Sequence, residues 1–421
     1  MLGTKSIQEE LQAIVGAQNL RPAIAGDAIC GVAPRWVVEP GNEQQVAAVL
    51  AAANSAGIGV IPRGGGSKLD WGNPPKRADL VLSMDRLNRI IEHAWADLTV
   101  TVEAGCTLQS LQDALRQHGQ RLALDVLWPE RATVGGAIST NDSGTLRLRF
   151  GALRDLIIGV TLALSDGTLA SSGGKVVKNV AGYDLPKLAT GALGTLGVIT
   201  KAVFRLHPLC PTTSSLTFAP SNWEEMQKLL HSIQDSKLAH TAFQIRAASG
   251  SPPQADILFE ATEAGLAAQT EHLRRLLGSA SVTDSSSTQV WQARQTLFSS
   301  LNEHSVIAKF SVLPSDIAKA MQWIAGVFSS EPSSWHAVIQ ATGLGWLRFD
   351  VDASSLDKGL RAVREQFERA SGSFVLAPRP AFLYTFDAWG NPGDALPLMR
   401  AVKSRLDPQN TLNPGRFVGG I

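Results

Sequence analysis

From Trp36 to about Pro208, short apolar runs alternate with stretches whose apolar residues recur at the helical spacing of three and four. Trp36–Val38, Ile58–Ile61, Leu80–Leu82 and Leu98–Val102 predict strands, the last by alternation of apolar and polar positions. Glu43–Asn54, with Val46, Val49 and Leu50 on one side, predicts a helix. Thr107 predicts the N-cap of a second, with Leu108, Leu111, Ala114, Leu115 and His118 facing inward.

Beyond Pro208 the texture changes. Serine-rich stretches separate predicted strands at Ala255–Phe259, Val306–Phe310 and Trp346–Val351 from amphipathic helices at Thr270–Leu277 and Leu356–Ala370. This mixture predicts a separate α+β domain. The expected boundaries are residues 1–210, 211–378 and a tail, 379–421, that returns to the first domain after a helix at Leu396–Leu406. No repeat of fixed period is visible.

A chain of 421 residues with 44% hydrophobic and 18% charged residues can bury more than one core. Its 38 basic and 37 acidic residues nearly cancel, which argues against a nucleic acid partner. Cys30, Cys106 and Cys210 are too dispersed for an iron–sulfur cluster or a disulfide scaffold. No apolar stretch predicts a transmembrane segment or a signal peptide, so a cytoplasmic location is expected.

The placement of glycine carries the candidate chemistry. Pro62-Arg63-Gly64-Gly65-Gly66-Ser67-Lys68 follows an apolar strand directly. Three successive glycines can turn backbone N–H groups toward one point, a nest suited to a diphosphate. The loop lacks the Walker spacing, and no Gly-x-Gly-x-x-Gly opens a helix after the first strand, so a nicotinamide dehydrogenase is disfavoured. Further glycine-bearing stretches are Pro129-Glu130-Arg131-Ala132-Thr133-Val134-Gly135-Gly136, continuing to Thr140-Asn141-Asp142-Ser143, and Lys178–Leu185 followed by Gly194-Thr195-Leu196-Gly197-Val198-Ile199. The last is Asn413-Pro414-Gly415-Arg416.

In this order, the motifs resemble the vanillyl-alcohol oxidase/p-cresol methylhydroxylase (PCMH-type) FAD-binding superfamily. Within it they are most similar to the FAD-binding subunits of bacterial glycolate oxidases. The resemblance implies a two-part FAD-binding domain and a separate α+β cap. By the matching positions, Pro62 to Lys68 would hold the pyrophosphate. Pro129 to Thr133, Gly135, Gly136 and Thr140 to Ser143 would line the flavin and ribityl chain. Gly194, Thr195, Gly197, Val198 and Ile199 would meet the adenine and ribose, and Asn413 and Arg416 would return with the tail. Leu193 stands where relatives usually have an acid, so no side-chain contact is expected there.

Two departures shape the expected chemistry. Many relatives bond a histidine after the first glycines to the flavin, whereas this chain has Ser67 and Lys68; FAD should be noncovalent. Relatives that oxidise 2-hydroxy acids often carry a Gly-Asp-Gly-Asn-x-His metal motif in the cap. Here Ala341–Trp346 resembles the glycine turn without the ligands, and the eight histidines are scattered, so no metal is expected. The resemblance thus implies an FAD-dependent oxidoreductase acting on a small 2-hydroxy acid such as glycolate, with no catalytic residue identified. It would work with a catalytic flavoprotein and an iron–sulfur partner, peripheral to the inner membrane through that complex. A self-sufficient dehydrogenase and a non-catalytic flavin-binding assembly subunit are the alternatives.

Overall fold

The computed structural model describes residues 6–174, 182–278, 281–284, 288–302, 305–328, 334–350, 353–378, 380–383 and 386–421. Residues 178–181 of the Lys178–Leu185 motif lie outside them. The chain divides into two compact units, Met1–Ser143 with Gly151–Leu209 and Pro392–Ile421, and Gly144–Phe150 with Cys210–Asn391. This departs from the sequence boundaries in two places. Residues 144–150 pack with the second unit because Leu148 joins its core and Arg149 donates to Ala239 O. The tail joins the first unit only at Pro392.

The first unit holds two main sheets. One contains β1 (Leu20–Pro22), β2 (Trp36–Val38), β3 (Val60–Arg63) and β4 (Leu80–Ser83) in the order β1-β2-β4-β3, with the last three parallel. Val37, Val38, Val60, Ile61 and Leu80 to Leu82 are buried, as expected for parallel strands covered on both faces. The helix Glu43–Ser55 makes the crossover between β2 and β3; Asn42 caps it by accepting from Gln45 N.

The second sheet is antiparallel. It contains β5 (Ile90–Ala94), β6 (Thr99–Glu103), β8 (Ile157–Ala163), β9 (Leu169–Gly173) and β10 (Val198–Arg205), in the order β5-β6-β10-β8-β9; β7 (Gln120–Arg121) pairs separately with β11 (His207–Pro208). Strict strand–helix alternation therefore fails here: β5–β6 and β8–β9 are hairpins. Leu98 lies in the turn before β6, at φ 53°. The helix capped by Thr107 ends at Arg116 and buries Leu108, Leu111 and Leu115, which leaves His118 exposed beyond its end.

The second unit contains one eight-stranded antiparallel sheet. Its order is Ser281–Asp284, Thr213–Ala219, Gln254–Glu260, His240–Ala248, Ser334–Gln340, Leu344–Asp350, Ser305–Ser311 and Ser373–Leu376. Read in chain order, strands and helices form two successive β-α-β-β-α-β units, the ferredoxin-like arrangement, beginning at Thr213 and Ser305. They join where His240–Ala248 pairs with Ser334–Gln340. The structure thus contains the repeat that the sequence hides. At the junction Ile245 lies opposite Ile339, and both are buried. Buried residues from the four long helices, including Leu230, Leu273, Met321 and Leu360, form the core against this sheet. Among the described residues, no helix is long and apolar enough to cross a membrane.

Candidate cofactor site

A cleft opens in the first unit where β3 ends. Its walls come from four stretches distant in sequence: Pro62 to Leu69, Thr133 to Thr140, Leu193 to Ile199, and Asn413 with Arg416. Of the expected site residues, it gathers Pro62, Arg63, Gly64, Gly65, Gly66, Ser67, Lys68, Thr133, Gly135, Gly136, Thr140, Gly194, Gly197, Val198, Ile199, Asn413 and Arg416.

The glycine loop is built differently from the sequence argument. Only Gly66 has positive φ, at 69°. Gly64 and Gly65 are required by close approach instead. A β-carbon on Gly64 would lie 2.1 Å from Thr133 Oγ1, and one on Gly65 would lie 1.9 Å from the Arg131 carbonyl oxygen. The loop is anchored at both ends by ion pairs to buried acids. Arg63 Nη1 lies 2.7 Å from Asp27 Oδ1, and Lys68 Nζ lies 3.2 Å from Asp142 Oδ2. Between these anchors, the N–H groups of Gly64, Gly65, Gly66 and Ser67 meet no acceptor among the described residues. Four neighbouring donors without acceptors, in a cleft lined by no carboxylate, fit an anionic diphosphate.

The remaining expected residues stand behind the wall. Arg131 and Glu130 are exposed, and the Arg131 carbonyl supports Gly65. Pro129 O and Ala132 O accept from Gln109 N and Leu108 N, which attaches this stretch to the Thr107-capped helix. Asn141, at φ 48°, ends the helix Val134–Thr140, and Asp142 accepts from Leu127 N. Ser143 and Thr195 are buried, and the Thr195 hydroxyl donates to Ala192 O. Gly135 serves helix–strand packing, since a β-carbon there would lie 2.9 Å from Ala104 Cβ.

Sequence reasoning missed Leu69, Met84, Ala104 and Ser139 as lining residues; of Leu193 it expected the backbone alone to take part. It also missed two buried supports. Asp27 accepts from both Arg21 and Arg63; hydrogen bonds from Arg21 hold its carboxyl well below the usual range despite burial. Lys403 Nζ donates to Thr195 O at 2.9 Å, Leu412 O at 3.0 Å and Asp407 Oδ2 at 2.5 Å, fastening the 193–199 wall to the tail. Burial pushes that ammonium down and Asp407 opposes the shift. The only available signal was the i,i+4 spacing of Lys403 and Asp407, which usually marks an exposed pair.

The tail is part of the wall. Asn413 N donates to Val60 O, and its side-chain amide donates to Leu193 O at 2.5 Å. The Arg416 guanidinium donates to Leu69 O and Trp71 O at 2.5 and 2.8 Å. Both side chains brace opposite walls as well as line the cleft.

Comparison with known proteins agrees with this geometry. Residues 34–173 match the FAD binding domain family, and 389–417 match the C-terminal domain of FAD linked oxidases. The chain is 25% identical to D-2-hydroxyglutarate dehydrogenase of Xanthomonas citri pv. viticola, over 91% of this chain and 89% of that protein. It is 30% identical to glycolate oxidase subunit GlcD of Bacillus subtilis over 56% of this chain, about half (52%) of that protein. The fold is that of p-cresol methylhydroxylase with substrate bound, with a TM-score of 0.74, 15% identity, and coverage of 97% of this chain and 96% of that one. The chain carries an FAD binding domain and the C-terminal domain of FAD linked oxidases in the fold of p-cresol methylhydroxylase, and it is an FAD-dependent oxidoreductase.

Proposed function

We propose that this chain is the FAD-bearing subunit of a glycolate, or related 2-hydroxy acid, dehydrogenase complex. It passes electrons from substrate or a partner flavin to an iron–sulfur subunit, and works in the cytoplasm. The observation that carries the cofactor assignment is the row of four acceptor-free N–H groups at Gly64 to Ser67. They would hold the diphosphate of FAD, while Gly135, Gly136, Ser139 and Thr140 would flank its rings and ribityl chain. Bound FAD supplies the hydride-accepting ring, and the protein binds and orients it.

The cap supports the subunit reading. Its sheet carries Arg246 and Arg348, which line one open depression of the second unit, and each is already paired. Arg246 makes two hydrogen bonds to Asp256, at 2.7 and 2.9 Å. Arg348 meets Asp350, Ser305 and the carbonyls of Ser299 and Ser300. Among the described residues, no group of three or more His, Cys, Asp or Glu could hold a metal ion. An ion-paired arginine is a weak clamp for a free carboxylate.

The second reading, a self-sufficient dehydrogenase, draws on the 91% coverage by D-2-hydroxyglutarate dehydrogenase. Anaerobic mixing with glycolate, D-lactate and D-2-hydroxyglutarate separates the two. The subunit reading expects slow bleaching of flavin absorbance alone and rapid bleaching once a catalytic flavoprotein and iron–sulfur subunit are added. Rapid bleaching without partners would establish the second.

A further inference from the structure

The Lys68–Asp142 pair lies where a direct cofactor ligand would be expected. Lys68 lines the cleft, yet its side chain is only 4% exposed and that of Asp142 is fully buried. The ammonium also donates to Leu127 O and lies 5.8 and 5.6 Å from the ring centroids of Trp71 and Trp128. Asp142 Oδ2 accepts from Leu127 N at 2.8 Å. The carboxylate therefore holds the 127–133 stretch in place, and Arg131 and Thr133 of that stretch support Gly65 and Gly64. Its charge is a liability there. A buried carboxylate beside a site for a dianionic diphosphate is repelled by it, and a low-dielectric surrounding strengthens the repulsion.

We infer that Lys68 is a positioning residue that acts by charge: it cancels Asp142, so the glycine loop presents N–H donors to the cofactor diphosphate without an adjacent negative field. This rests on the assignment of FAD to the cleft. It differs from a direct grip on the phosphate, because the partner that matters to Lys68 is Asp142 rather than the ligand. Both charges can be removed together: Asn at 142 keeps a carbonyl that can accept from Leu127 N, as Asp142 Oδ2 does now.

The test compares Lys68→Met, Asp142→Asn and the double variant. FAD dissociation constants are measured by flavin fluorescence, flavin midpoint potential by dye equilibration, and apo-protein melting separately. Lys68→Met should weaken FAD at least tenfold and shift the potential negative. The double variant should return to within about threefold of the parent in affinity and recover the potential, and Asp142→Asn alone should bind at least as tightly as the parent. A double variant as weak as Lys68→Met would overturn the inference and make Lys68 a direct ligand. FAD affinity unchanged in all three variants would overturn it too; if Gly66→Val, which places bulk in the cleft, also leaves FAD unaffected, the cofactor assignment itself fails. If Lys68→Met does not fold, Asp142→Asn and the double variant still decide between charge cancellation and direct contact.

Discussion

Gly65 and Arg131 approach so closely that a β-carbon on the glycine would lie 1.9 Å from the arginine carbonyl oxygen. The contact is between backbones, so no side-chain rearrangement relieves it. Gly65→Ala should therefore separate the glycine loop from the 131–133 stretch, destabilising the unit by about 1–3 kcal/mol and lowering flavin content. Gly66→Ala meets only ordinary contacts, Leu69 at 3.8 Å and Arg63 at 4.0 Å, and faces mainly the strain of φ 69°, about 1 kcal/mol. Equal flavin loss and equal shifts in melting temperature for the two would refute this account of the loop.

Among the described residues, the cleft is lined by no histidine, cysteine or tyrosine that could bond the flavin. Acid precipitation should leave the precipitate colourless and release intact FAD into the supernatant. Yellow colour retained in the washed pellet would contradict noncovalent binding.

Arg416 donates to two carbonyls across the cleft wall while 3% exposed. Arg416→Ala leaves both acceptors buried without that donor, at about 1–3 kcal/mol each. Lysine should rescue poorly, since one ammonium cannot reproduce the fork of the guanidinium. Urea midpoints and flavin retention on gel filtration measure this; full rescue by lysine would show that charge alone matters.

Asp27 makes stability depend on acid. Its folded carboxyl is held below the unfolded value of about 3.9, chiefly by Arg21. Its contribution is thus complete above that value and is lost as pH falls toward the folded value. Asp27→Asn should reduce stability at neutral pH and flatten its decline below about pH 4. A variant with the same acid slope as the parent would place the titration elsewhere.

Cys106 is 2% exposed, and burial, with Glu103 adding, pushes its thiol up to about 11. Iodoacetamide at pH 8 should modify it only after unfolding, because the native thiol is both protonated and inaccessible. Peptide mapping that finds native labelling at Cys106 would be the contrary result.

By itself, the sequence determined the local elements and the order of the cofactor stretches. Helix Glu43–Ser55 was readable from Val46, Val49 and Leu50, and the glycine loop from its place after a strand, because backbone preferences and periodicity act over neighbouring residues. Tertiary structure alone decided which partner each of those residues meets. Nothing near Arg63 or Lys68 in the chain indicates Asp27 or Asp142, and nothing near Arg416 indicates Leu69. The two glycines read as conformational freedom prove to be close approaches to a stretch more than sixty residues later. The repeated β-α-β-β-α-β arrangement of the second unit was hidden for the same reason: a sheet constrains burial and pairing, which many sequences satisfy, and only folding brings Ile245 opposite Ile339.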